Sequence, residues 1–356
     1  MDDLSFIPQD AYHVYVIGTQ ECERTIAQSA IKTSRKNWDS KLLSRIGASY
    51  SKLRSHTLQA IHSVVFVRTE LLPLISNIGS AAIATGFRGT LGNKGGAGVS
   101  FTFGKTSFLF VSSHFEAHQE AVQQRNDNFH RIDTQIPLPP GFKIMSKRLL
   151  RQHSDSSRSS SKKEATTEDD DSDQDDLVDH QSCCSGYDTV PSDMTRARAS
   201  ARFDRVFWLG DLNYRINLPR KSVDELLAAG TMDSRLELLA EDQLKIELSK
   251  GSVFHGFEEG PLMFFPTYKY DKDSSVYDTS KKQRVPSWTD RILHKSAKQG
   301  AISQTQYYSY DDVRISDHRP VIASYKVGLE GVSDSTLVGT MANEVGQSPS
   351  QVCGIM

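Results

Sequence analysis

The order of apolar and polar positions divides the chain into short strands, amphipathic helices and two long polar stretches. Tyr12-His-Val-Tyr-Val-Ile17 and Val64-Val-Phe-Val67 are runs of β-branched and aromatic residues, the composition of strands. Gly98-Val-Ser-Phe-Thr-Phe103 and Ser107-Phe-Leu-Phe-Val111 flank Gly104-Lys105 and predict a hairpin with a short glycine-containing turn. Val206-Phe-Trp-Leu209 is a short apolar run of the kind found in a strand covered on both faces. Helical spacing predicts helices over Lys41 to Ile61 and over Val223 to Leu248, where Leu226, Leu227, Leu236, Leu239, Leu244 and Leu248 recur. Strands interleaved with helices predict an α/β or layered α+β domain.

The polar stretches set the boundaries. Ser154 to Ser161 is mostly serine and Glu168 to Asp176 mostly acidic. Such a segment buries too little apolar surface to offset the entropy of ordering it, and it is too long for an ordinary loop. Residues 143–201 are therefore expected to be a disordered insertion in a single domain formed by 1–142 and 202–327. Residues 328–356, which contain Gly, Ser, Asn and Gln with scattered acids, are expected to be a flexible tail.

Composition narrows the function. With 356 residues, 37% hydrophobic and 24% charged, the chain is globular. A formal net charge of -2 argues against a general nucleic-acid binder. Four cysteines, two of them adjacent at Cys183 and Cys184, fit neither a disulfide framework nor a zinc site, so a reducing, cytoplasmic setting is expected. No apolar run is long enough to span a membrane, and the first residues do not read as a signal peptide.

Polar motifs gather where apolar strands end, the place where a rigid element positions a side chain and a loop gives access. Gln20-Glu21, Ser113-His114, Asp211-Leu-Asn213 and Asp317-His318 all sit so. Each alone has a plain structural meaning: a turn-forming Asp, an Asp-His hydrogen bond, a solvated edge. In combination they predict an oxygen-rich pocket for a hard divalent cation. No cysteine is followed by Arg six positions later, which excludes a cysteine-phosphatase loop, and Gly89-Thr-Leu-Gly-Asn-Lys-Gly-Gly96 lacks the ending of a Walker loop.

Gly210-Asp-Leu-Asn-Tyr-Arg215, Pro286-Ser-Trp-Thr-Asp-Arg-Ile-Leu293, Ser316-Asp-His-Arg-Pro-Val321, Phe87-Arg-Gly-Thr-Leu-Gly-Asn-Lys-Gly-Gly96 and Ser113-His-Phe-Glu-Ala-His118 with Arg125-Asn126 together resemble the signature segments of the inositol polyphosphate 5-phosphatases. The resemblance runs in order from about Leu4 to Lys326, the insertion apart. It implies a four-layer αββα sandwich of the deoxyribonuclease-I-like superfamily and removal of the 5-phosphate from phosphoinositides or soluble inositol polyphosphates. It also implies roles. Glu21 would hold Mg²⁺, with Asp317 beside it. Asp211 and Asn213 would orient and deprotonate the attacking water. His318, oriented by Asp290, would bond a phosphate oxygen, with His114 opposite and Asn126 in support. Asn93 and Lys94 would lie in a glycine-rich turn beside the substrate. Tyr268, Lys269, Lys282 and Arg284 would grip an adjacent 4-phosphate, for which a guanidinium and two ammoniums are well suited. A monomer in peripheral contact with membrane, and without nucleic acid, is the expected state.

Two departures bear on the ends of the chain. The resemblance implies a first strand carrying an Asn near the metal, whereas Asp2-Asp-Leu4 resembles the loop after that strand. The expectation is a sandwich lacking its first strand, as from a gene read from too far downstream, and hence weak activity of the chain as written. Cys353-Gly-Ile-Met356 fits a prenylation motif at Cys353, a single anchor without a basic second signal. The alternatives to a 5-phosphatase are another phosphodiesterase or nuclease of the superfamily and an inactive phosphoinositide-binding module.

Overall fold

The computed structural model describes residues 4–21, 35–86, 93–138 and 198–332, and the backbone of 351–355. Most of the expected insertion lies outside these residues, as do 87–92 of the glycine-rich segment. Residues 198–201, placed in the insertion by composition, belong to the fold. Asp133 accepts hydrogen bonds from Ser200 N at 2.8 Å and from Ser200 Oγ at 3.0 Å, which tie a short helical turn, Ala199–Arg202, to the preceding helix.

Two sheets form the centre. The first holds β1 (Val14–Gln20), β2 (Tyr50–Leu58), β3 (Ile61–Arg68), β9 (Ile302–Ser309), β10 (Val321–Val327) and β11 (Gln351–Ile355), in the order β2-β3-β1-β11-β10-β9. The second holds β4 (Ile75–Ala84), β5 (Gly95–Phe103), β6 (Thr106–His114), β7 (Arg205–Asp211) and β8 (Asp290–Ser296), in that order. The period-2 alternation of a strand sorts their side chains into layers. Val14, Val16, Val65, Val67, Phe108, Phe110, Phe207 and Leu209 point between the sheets into one shared core. Their neighbours point outward: Tyr15, Ile17, Val64 and Phe66 meet Trp38, Leu42 and Ile46 of α1 (Lys36–Ile46). Leu109, Val111, Val206 and Trp208 meet Phe129 and Ile132 of α2 (Val122–Gln135). Three apolar layers between four structural ones make the expected αββα sandwich.

The hairpin of β5 and β6 forms as expected, Phe103 pairing with Thr106 across Gly104-Lys105. The helix expected over Lys41 to Ile61 does not continue past Ile46. Gly47, at φ 136, ends α1, and Tyr50–Leu58 is an edge strand paired with β3. Its half-polar alternation belongs to an edge, and a helical reading carried the apolar spacing of α1 too far. The second predicted helix is three: α3 (Arg220–Ala229), α4 (Met232–Ala240) and α5 (Gln243–Ser249). Left-handed Gly230 stops α3. Thr231 then caps α4, accepting from Ser234 N at 3.1 Å, and Asp242 caps α5, accepting from Lys245 N at 2.9 Å.

Among the described residues no strand precedes β1. The place beside it in the sheet is taken by β11, from the region expected to be a tail, parallel to β1 and antiparallel to β10. Cys353, the expected prenylation position, is the middle residue of β11, opposite Tyr15 and Ser324. Among the described residues no helix is long and apolar enough to cross a membrane.

Candidate active site

The site lies at one end of the sandwich, where β1, β6 and β7 finish and β8 and β10 begin. Pairing puts His114, Asp211 and Asp290 in one cross-strand row, His114 opposite Asp211 and Asp211 opposite Asp290. Each shares the strand face of the inter-sheet core, two or more steps on from Phe110, Leu209 or Ile292, so the row closes that core and faces the cavity. Gly210, at φ 144, permits the close approach: a Cβ there would lie 2.0 Å from the Ser113 carbonyl oxygen.

Around this row is a cavity of about 460 Å³. Gln20, Glu21, Lys94, His114, Asp211, Asn213, Arg215, Tyr268, Lys272, Asp290, Asp317 and His318 line its polar side, and Leu4, Phe6, Val313 and Ile315 its apolar side.

His318 is held from behind. Its Nδ1 lies 2.9 and 3.1 Å from the two carboxylate oxygens of Asp290, one of which also accepts from Thr267 Oγ1 at 2.6 Å and Thr289 Oγ1 at 3.0 Å. Nε2 is left for the cavity. Burial works against protonation of His318, but the Asp290 carboxylate, aided by Asp211 and Asp317, outweighs it and raises the pKa to about 9. Asp211 is the reverse case. Burial alone would raise its pKa, while the hydrogen bond to His114 and the charges of His114, His318 and Lys94 drive it well below the usual carboxylate range.

Asn213 adopts a left-handed backbone, φ 56, and folds back on Asp211 through its N (3.1 Å) and Nδ2 (3.1 Å). Its Oδ1 accepts from Arg215 Nη2 at 2.5 Å, and the Arg215 guanidinium lies 4.4 Å from the centre of the Tyr268 ring. That ring stands 4.7 Å from the His318 imidazole. Lys94 Nζ is 2.5 Å from His114 Nε2, itself 3.3 Å from Asp211 Oδ2. Burial lowers the Lys94 pKa against the pull of Asp211 and Glu21.

The structure thus brings together Glu21, Lys94, His114, Asp211, Asn213, Tyr268, Asp290, Asp317 and His318. Other expected residues stand apart. Asn126 is buried behind the site, its Nδ2 donating to Glu247 at 2.7 Å and its Oδ1 accepting from Tyr214 at 2.8 Å, so it supports packing and does not reach the cavity. Asn93, Lys282 and Arg284 do not line the cavity. Lys269 is paired with Asp317 at 2.5 Å, so its ammonium is engaged at the carboxylate expected to lie beside metal. Sequence reasoning missed Arg215, Lys272 and Thr267. Arg215 closes the Gly210-Asp-Leu-Asn-Tyr-Arg215 motif, whereas Thr267 acts only through Asp290, a contact between segments that no local pattern announces.

Among the described residues no cluster of three or more His, Cys, Asp or Glu has the geometry of a metal site. The donors present still suit a hard cation. Glu21, Asp211 and Asp317, with the amide oxygen of Gln20, are hard oxygen donors, and such an ion takes one or two carboxylates plus substrate phosphate.

Comparison with known proteins gives a consistent picture. The sequence matches the Endonuclease/Exonuclease/phosphatase family 2 over residues 3–324. It is 32% identical over 326 residues to the phosphatidylinositol polyphosphate 5-phosphatase type IV of Homo sapiens, covering 91% of this chain and 42% of that protein. To polyphosphatidylinositol phosphatase INP53 of Saccharomyces cerevisiae it is 32% identical over 330 residues, covering 90% of this chain and 24% of that protein. The chain thus spans less than half the length of these curated relatives. The inositol polyphosphate 5-phosphatase domain of SPsynaptojanin, solved with inositol (1,4)-bisphosphate and calcium ion, aligns with a TM-score of 0.65 at 25% identity, covering 99% of this chain and 78% of that one. A Cimex nitrophorin, at 21% identity and a TM-score of 0.57 over 89% of this chain and 88% of its own, shares the fold.

Proposed function

Because the chain belongs to the Endonuclease/Exonuclease/phosphatase family 2, we propose that its cavity hydrolyses a phosphate monoester, the 5-phosphate of phosphoinositides or soluble inositol polyphosphates. One observation carries the reading: the Asp290–His318 pair and the Asp211–Asn213 pair are held by separate elements and line the same cavity. A phosphate bound between them meets a donor on one side and a water-orienting carboxylate on the other. The likeness to 5-phosphatases selects the substrate class among those a phosphoester site admits.

Phosphoryl transfer of this kind needs charge neutralisation and in-line placement more than a strong nucleophile. Protonated His318 donates from Nε2 to a non-bridging phosphate oxygen, and Asp290 prevents the ring from turning away. Asp211, ionised at neutral pH, accepts a hydrogen bond from the attacking water and aims its lone pair at phosphorus. Water oxygen bonds to phosphorus as the bond to the inositol oxygen breaks. Asp211 takes up one proton of the water as the new bond to phosphorus forms; the leaving oxygen keeps the electron pair and acquires that proton by way of solvent, ending as a hydroxyl, with inorganic phosphate as the other product. Asn213 and Arg215 hold Asp211 in aim. Glu21 and Asp317 are the residues that would hold a divalent cation, Mg²⁺ in our reading, which when bound supplies Lewis acidity toward the phosphate and leaving oxygens. Lys269 would have to give way at Asp317, freeing its ammonium for a second phosphate.

The apolar side of the cavity, Leu4, Phe6, Val313 and Ile315, favours a lipid over a free headgroup and a peripheral membrane setting. The test is Mg²⁺-dependent phosphate release from phosphatidylinositol 4,5-bisphosphate vesicles and from soluble inositol 1,4,5-trisphosphate. Release that Asp211→Asn abolishes supports the reading. No release with DNA nicking would point to a nuclease, and lipid binding without turnover to an inactive module; either result overturns it.

A further inference from the structure

We propose that Gln351–Ile355 is a spacer strand whose seating between β1 and β10 sets the width of the active-site mouth. The pairing is continuous on both sides. Val14 to Ile17 of β1 pair in parallel with Val352 to Ile355, and Ile322 to Lys326 of β10 pair antiparallel with Ile355 to Gln351. Both neighbours lead to the site at the Ile355 end. β1 runs on from Ile17 to Gln20 and Glu21, while β10 is entered from Asp317, His318, Arg319 and Pro320.

Paired strands lie about 4.8 Å apart, so one strand in the slot holds β1 and β10 about 10 Å apart. With the slot empty, two rows of backbone N–H and C=O groups in the middle of a sheet lose their partners. The strands then either stay apart with unpaired edges or close onto each other. Closure would draw Glu21 toward Asp317 and His318 by about one strand spacing. A cation bound at about 2.1 Å from its ligands does not tolerate such a shift. These five residues, remote in sequence from every polar motif, thus act as a positioning segment for the site.

The effect on catalysis rests on the phosphatase reading; the insertion itself does not. In the full chain with Cys22, Cys183 and Cys184 replaced by Ser, Ser324→Cys is expected to form a disulfide with Cys353 on mild oxidation. Antiparallel partners lie about 4.5–5.5 Å apart at Cα, within disulfide reach. Lys326→Cys, whose partner is Gln351, is a diagonal neighbour about 7–8 Å away and should not cross-link to Cys353. Val352→Pro removes a backbone donor from a strand paired on both edges. It is expected to lower Tm by at least about 5 °C, reduce kcat at least tenfold and raise the Mg²⁺ concentration for half-maximal rate, while Val352→Thr changes none of these. A folded chain in which Ser324→Cys gives no cross-link to Cys353 overturns the insertion. A cross-link together with unchanged Tm and Mg²⁺ dependence in Val352→Pro overturns the spacer role. If the phosphatase reading fails instead, the cross-link and the loss of Tm remain.

Discussion

Asp290 receives His318 Nδ1 on both carboxylate oxygens, at 3.1 and 2.9 Å, and so decides which imidazole nitrogen faces the cavity. Asp290 is itself fixed by Thr267 and Thr289, and the next residue, Arg291, is locked by a two-sided ion pair. Its Nη1 lies 3.0 Å from Asp242 and its Nε 2.6 Å from Glu259, all three side chains buried.

Asp290→Asn tests this support directly. It keeps the size of the side chain but loses the charge that favours imidazolium. Phosphate release is expected to fall by about 10²-fold in kcat with little change in KM. An unchanged kcat would falsify the positioning role.

Arg215 was assigned no role from sequence, yet it joins Asn213 to Tyr268. Arg215→Lys retains the charge and loses the planar fork that makes both contacts. The expected outcome is a drop of about tenfold in kcat/KM with Tm within a few degrees of the parent, as removal of a single positioning contact gives. Steady-state kinetics beside a thermal melt separates this from a folding defect.

Asn126 separates the two accounts of its role. As a packing residue, its replacement by Ala takes the acceptor from the buried Tyr214 hydroxyl and one of the donors from Glu247, which keeps Lys250, and costs about 1–3 kcal/mol of stability. KM of the folded fraction should not move. A raised KM at unchanged stability would restore Asn126 to the substrate.

His13 is buried, and burial, helped by Arg68, lowers its pKa to about 4. Between that value and about 6.5 the unfolded chain binds a proton that the folded chain does not. Its contribution is therefore complete above about pH 6.5 and is lost as pH falls toward 4, a change of about 3 kcal/mol. Denaturant unfolding of His13→Gln between pH 7 and 4 should show a loss of stability smaller by that amount, even if the variant is less stable at pH 7. Parallel curves would remove the assignment.

Ile315 is 46% exposed on the cavity rim. If the substrate is a lipid, Ile315→Asp should reduce turnover on vesicles by roughly tenfold, the effect of trading one buried apolar side chain for a charge. Turnover of soluble inositol trisphosphate should stay near the parent value. Equal losses on both substrates would point to a disturbed Asp317 instead.

Much of the fold and the site could be read along the chain. The alternation at Phe108/Phe110 and Phe207/Leu209 specified which faces turn inward, because period 2 is a local property of an extended backbone. The grouping of Asp211, Asn213, Asp317 and His318 at strand ends was legible for the same reason. What the sequence could not decide was which segments meet. The row of His114, Asp211 and Asp290 exists because β6, β7 and β8 pair in one register, and register between distant strands is a sum of many long-range contacts with no local sign. Asn126 faces away from the site because α2 packs it against Tyr214 and Glu247, another long-range contact with no local sign. β11 is the clearest case. Gln351–Ile355 lies in a stretch whose composition reads as a tail, and only an open slot with unpaired backbone on both sides makes it a strand.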